Sequence, residues 1–171
     1  MSTKRTILTW GLIAGVVSIS LMLATMPLGE RIGYAYSMTI GYTALVLSAL
    51  LIFPGVRSYR DNVAGGKMSF GRGFVVGLGI AAVAAVCYGV VWAIVYANFM
   101  PDFCDKWAAY TLDQVKSSGG SAEKIAEATA QAAQMKRLMQ NPLTNAAMAM
   151  LEPFPVGLLV SLVSAGILRK K

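Results

Sequence analysis

The chain contains no histidine, so it lacks the commonest general base and the commonest neutral metal ligand. Cysteine is nearly absent too: Cys87 and Cys104 are the only two. If one helix ran through both, they would be about 25 Å apart at 1.5 Å per residue, far beyond the ~7 Å Cα separation a disulfide tolerates. Charge is scarce, with 13% Asp, Glu, Lys and Arg against about 25% in ordinary soluble domains. No Ser/His/Asp, Cys/His or paired-carboxylate arrangement is available, which argues against a hydrolase or oxidoreductase and against a resident cofactor.

What fills the chain instead is apolar: 56% hydrophobic residues and a mean hydropathy of +0.60. The net charge of +7 does not indicate nucleic-acid binding, because the cations sit at the ends of apolar runs instead of covering a face. The run Ile7 to Met26 carries no charge and follows a basic start. It is longer than the core of a signal peptide and lacks a good cleavage site at Leu23–Pro27, so it is expected to be a retained first span. Pro27–Gly33 is expected to form a tight outer turn in which Glu30 and Arg31 cancel. A second span follows over Ile32–Val56, with Tyr34 and Tyr36 at the interface. The third is Gly73–Met100. The fourth is Leu143–Leu168, interrupted at Glu152-Pro-Phe-Pro155. Gly11/Gly15, Ser37/Gly41, Gly73/Gly77 and Gly157/Ser161/Ala165 repeat small residues four apart. Such spacing lets helices approach closely, either inside the chain or between two copies in a homodimer.

Between the spans lie two charged stretches. Arg57–Arg72 holds Arg57, Arg60, Lys67 and Arg72 against the single acid Asp61, and Gly65-Gly66 supplies a turn at positive φ. These four cations are candidate contacts for anionic lipid headgroups or, more plainly, determinants of topology. Residues 102–141 carry ten charges that sum to zero. There Phe103, Trp107 and Tyr110 share one helical face, Ser117–Ser121 is a turn with Ser121 as N-cap, and Ile125, Ala128, Ala132, Met135 and Met139 form a hairpin seam. Asn141-Pro142 has the pattern of a cap followed by a first helical residue. The first arm of this hairpin could be continuous with the third span. The expected organisation is one all-α membrane domain, residues 1–171. It has four transmembrane helices and an extramembrane helical hairpin, residues 102–141, inserted between the third and fourth.

With the N-terminus inside, the inner face holds nine cations against Asp61, and the outer face six cations and six acids. The positive-inside rule therefore places both termini inside and the hairpin outside.

Glu152 is the most informative single residue, since a carboxylate within an apolar span is costly and is often functional. Counting about 1.5 Å per residue puts Glu152 roughly 24 Å, Tyr88 roughly 22 Å and Tyr42 roughly 21 Å above the inner ends of their spans. The three form a candidate buried polar site, with Glu152 hydrogen-bonded by one or both tyrosines or by broken-helix backbone. The competing assignment is structural: Glu152 caps the helix that resumes after the prolines, or reaches the outer headgroups. Met135, Met139, Met148 and Met150 near Cys104 could in principle take Cu(I), but no histidine or second outer cysteine assists, and they suit packing.

Two strings, Arg57-Ser-Tyr-Arg-Asp-Asn-x-x-Gly-Gly-Lys-x-Ser-Phe-Gly-x-x-Phe74 and Glu152-Pro-Phe-Pro-Val-Gly-Leu-x-x-Ser-Leu-x-Ser-Ala165, carry a resemblance. They are similar to domain-of-unknown-function family 4199, and the likeness runs over essentially the whole chain. The resemblance implies a small multi-span bacterial membrane protein with no established activity and supplies no catalytic residues. Two functions remain in view: a non-enzymatic interaction or scaffold protein, binding a protein partner or a second copy, or a small-solute or ion carrier built around Glu152.

Overall fold

A computed structural model describes residues 2–170, apart from the side chains of 27–32, 34 and 35. Eight helices and no strand occur among the described residues: α1 (Thr3–Ile32), α2 (Tyr34–Ala49), α3 (Ile52–Asn62), α4 (Phe70–Phe99), α5 (Phe103–Ser117), α6 (Ala122–Gln140), α7 (Pro142–Leu151) and α8 (Phe154–Leu168). Four stretches are long and apolar enough to cross a membrane: Thr3–Met26, Tyr36–Asn62, Phe70–Phe99 and Pro142–Leu168. The protein is thus an all-α membrane protein. It divides into two compact units, Met1–Gly89 with Ala149–Lys171, and Val90–Met148.

In the first unit, glycines set how closely α4 approaches its neighbours. A Cβ on Gly11 would lie 2.5 Å from Val83 Cβ, and one on Gly15 would lie 2.9 Å from Cys87 Cβ, so α1 seats directly on α4. On the opposite side of α4, a Cβ on Gly77 would lie 2.9 Å from Ser161 Cβ, and one on Gly73 would lie 3.3 Å from the Ala165 backbone. Gly157 faces Ala81 in the same seam. Three of the four small-residue stripes are therefore occupied within the chain, whereas Gly41 faces open space. Ile52, Val56, Val76 and Ile80 fill the core between them, closed at one end by Tyr59, Met68 and Leu168. Ile7 and Trp10 pack against the same cluster.

Several boundaries differ from the expected ones, each for a local reason. The backbone stays helical through Ile32 and breaks only at Gly33 (φ 84°, ψ 158°), so no tight turn opens at Pro27. The proposed Glu30–Arg31 cancellation and the placement of Tyr34 lie outside the described side chains. The second span is two helices, because Pro54 has no N–H for the Leu50 carbonyl and its ring crowds that group. Phe53 N–H takes over the Leu50 carbonyl at 3.1 Å, a tighter i→i+3 bond. Helix α3 then runs on to Asn62, so Arg57, Arg60 and Asp61 are helical, and the linker proper is only 63–69.

Within that linker the Gly65-Gly66 turn forms as expected, at φ 66° and 82°, with Gly66 N–H bonded to the Arg60 carbonyl at 2.9 Å. Met68 and Lys170 then exchange two backbone hydrogen bonds, at 2.9 and 3.0 Å, as an isolated antiparallel bridge. The linker and the end of α8 are thereby held at one end of this unit.

In the second unit, α4 and α5 are separate helices. Pro101 follows the last turn of α4, and Phe103 N–H closes onto the Met100 carbonyl at 3.1 Å, so the first arm does not continue the third span. Phe103 meets Trp92 edge to face, with ring centroids 5.3 Å apart. The α5–α6 hairpin turns where expected. Gly119 takes φ 74°, Gly120 N–H reaches the Val115 carbonyl at 2.9 Å, and Ser121 Oγ accepts from Lys124 N–H at 3.4 Å. Lys136 Nζ donates to Asp105 Oδ1 at 2.5 Å across the arms. Ala132 is the buried centre of the seam, with Ile125, Ala128, Met135 and Met139 half-buried beside it. Asn141 Oδ1 accepts from Leu143 N–H at 2.9 Å, the anticipated cap of α7.

Candidate functional site

The fourth span breaks between α7 and α8 at Glu152-Pro153. Pro153 and Pro155 have no N–H to give the carbonyls of Ala149 and Leu151, so the helical ladder cannot run through. Helix α8 resumes with Pro153 as its N-cap residue and no side-chain cap bond; Gly157 N–H returns to the Pro153 carbonyl at 2.9 Å. Glu152 is consequently not the cap of α8.

The Tyr88 hydroxyl lies within electrostatic reach of Glu152 and of Tyr42. Their environments differ. Tyr88 is 8% exposed, but Tyr42 is 55% exposed and Glu152 is exposed on the unit's surface. Neither tyrosine hydrogen-bonds the carboxylate among the described residues. The expected hydrogen bond from a tyrosine to Glu152 is thus not formed. Glu152 stands beside the start of α8, the positive end of that helix's dipole.

Behind the break is a feature that charge-based reading of the sequence passed over. Tyr88, Ser18 and Ser48 line a cavity of about 30 Å³ together with Pro153, Gly157 and small apolar side chains of α1, α2 and α4. Both serines lie on apolar helices, and both are more than nine-tenths buried. Ser48 Oγ donates to the Leu45 carbonyl at 2.8 Å. Serine on a small-residue stripe was the available signal, and it was legible only as packing.

The basic linker keeps its charge. Asp61 is taken by Arg60 at 2.7 Å and Arg57 at 3.6 Å, both at the surface. Lys67 and Arg72 are exposed, without a carboxylate partner among the described residues. Arg169 and Lys170 join them through the Met68–Lys170 bridge. Among the described residues, no group of three His, Cys, Asp or Glu is placed to hold a metal ion.

These helices, their glycine-seated seams and their single charged break define a polytopic helical membrane protein. The chain belongs to the family described as "Protein of unknown function (DUF4199)", whose model matches residues 9–170. No curated protein and no solved structure matches it.

Proposed function

We propose that the protein is a non-enzymatic interaction or scaffold protein of the bacterial inner membrane, with both termini cytoplasmic and the α5–α6 hairpin as its partner-binding element. The observation that carries this is the finish of the hairpin. It is capped at both helix ends of its turn, cross-tied by Lys136 and Asp105, and seamed on Ala132, so its outward residues are presented on a rigid frame. By contrast, the glycine seams of α1, α4 and α8 are spent on packing within the chain, which leaves little of that surface for a second copy. The exposed cations Lys67, Arg72, Arg169 and Lys170, with Arg57 and Arg60, suit anionic headgroups, at about 1 kcal/mol per cation near the surface.

A photo-crosslinking residue placed at exposed Glu127 or Gln134 of the full chain, in its native membrane, tests this. A reproducible protein adduct at these positions, and none from exposed Leu159 in α8, is expected. Adducts from Leu159 alone would overturn it.

The second reading is a carrier of protons or small ions, favoured by one observation: Tyr88 lines a cavity at the helix break and lies within reach of Glu152. The cavity has room for about one water, too little for a larger solute. Flux through the reconstituted chain that depends on pH and is abolished by Glu152→Gln would establish the carrier instead.

A further inference from the structure

Ser18, Ser48 and Tyr88 come from three different helices, α1, α2 and α4, and converge on one space. Their exposures are 7%, 5% and 8%, so little of each residue is reached from outside. Of the three, only Ser48 hydrogen-bonds to protein among the described residues, and it does so as a donor, which leaves its oxygen able to accept. Hydroxyls without a protein partner are costly wherever their surroundings are apolar. They are more so where the surroundings are hydrocarbon, since no solvent can reach in. The space between them is about 30 Å³, above the 10–15 Å³ or so that one water needs. A dry void of that size persists where the lining is wholly apolar, and a polar lining with two to four partners is what orders water.

We infer that this cavity is a built hydration site, in which water bridges the hydroxyls of Ser18, Ser48 and Tyr88 at the level where the fourth span breaks. Water is the ligand the chemistry selects. It both donates and accepts, as three hydroxyls require, and it carries no charge. A hard cation would find only three neutral side-chain oxygens here, with no carboxylate among the lining residues, and would remain under-coordinated. The bridge gives α1, α2 and α4 a shared hydrogen-bonded node beside Pro153, where α8 has lost helical bonds of its own.

The two alternatives respond oppositely to hydroxyl removal. If the cavity is dry, Ser18→Ala and Tyr88→Phe each delete a partnerless polar atom and leave stability unchanged or raised. If water bridges the node, each deletion strips the water of a partner. The folded-to-unfolded ratio of the full chain in detergent should then fall about two- to tenfold for each. The double variant should fall by less than the product of the two, because the same water is lost once. Water-to-protein magnetisation transfer to Ser18 and Tyr88 in bilayer-reconstituted wild-type chain provides the direct arm. It should be present, and it should vanish in Ser18→Val, whose added methyls occupy the space. Unchanged or raised stability in both single variants, or no transfer in the wild type, overturns the site. If a variant does not fold, the wild-type transfer measurement still decides.

Discussion

At the scale of single residues, the clearest electrostatic element is Lys136 on Asp105, which ties α6 to α5. The hydrogen bond to Asp105 raises the Lys136 pKa above the ordinary lysine value of 10.5. A group whose folded pKa is raised contributes its stability fully below the unfolded value and loses it as pH climbs through the folded one. Helix content of the hairpin should therefore be indifferent to Lys136 across neutral pH. It should decline only above about pH 10.5 as the link neutralises, and Lys136→Gln should lack that alkaline step. Circular dichroism of both proteins between pH 7 and 12 checks this. Both partners are exposed, so the effect will be small and will shrink in high salt. Glu152 shows what residue identity could not settle in advance. A carboxylate beside two prolines is visible in the sequence as an anomaly. Whether it faces inward or outward depends on the rotation imposed by the break, and counting residues along a helix gives depth without azimuth.

At the scale of elements, the small-residue spacing carries the most structural information per residue, and its meaning resolves only in three dimensions. Gly11/Gly15, Gly73/Gly77 and Gly157/Ser161/Ala165 were legible as places for close approach. That they close upon one another, α1 on α4 and α4 on α8, follows from which faces the connections bring together. The contrast between Gly77 and Gly41 gives a direct measurement. A Cβ at Gly77 would sit 2.9 Å from Ser161 Cβ and 3.2 Å from its backbone Cα, so Gly77→Ala forces α4 and α8 apart. It should cost about 1–3 kcal/mol, the usual range for overpacking. Gly41 has nothing within 4 Å of its would-be Cβ. Gly41→Ala should be neutral or stabilising by up to about 1 kcal/mol, through helix propensity alone. In a denaturing detergent titration the unfolding midpoint of Gly77→Ala should fall while that of Gly41→Ala holds or rises; equal losses would refute the seam. The caps at Ser121 and Asn141 were readable outright, because an N-cap is a local hydrogen bond between neighbours in sequence. The breaks at Leu50–Leu51 and Met100–Asp102 were less so. Each is set by a proline acting on the preceding turn, and Pro54 and Pro101 also occur in apolar contexts that helices often carry through.

At the scale of the whole molecule, the number of spans was evident from composition, since long uncharged stretches have few alternatives in water. Sidedness rests on charge. The two-bond bridge between Met68 and Lys170 holds the basic linker and the end of α8 together, and Ile7 packs into the same core cluster as Met68 and Leu168. The start of α1, the linker and the end of α8 thus lie at one end of the first unit, and all its charged sites except Asp61 there are cations. A cluster so one-sided is what the positive-inside bias would retain on the cytoplasmic side, which is the orientation proposed above. The native cysteines make poor reporters: Cys104 is 5% exposed and accepts a hydrogen bond from Tyr96, and Cys87 abuts α1 at Gly15. Single cysteines at exposed Ser118, in the hairpin turn, and exposed Asn62, beside the linker, on a chain with Cys87 and Cys104 replaced by serine and alanine, avoid this. An impermeant maleimide added to intact cells or right-side-out vesicles should label Ser118→Cys at once, and Asn62→Cys only after the membrane is opened. The reverse pattern would invert the whole protein and move the hairpin to the cytoplasm. Equal labelling of both would require an odd number of crossings between residues 62 and 118 to be replaced by an even one, against the single apolar helix that separates them.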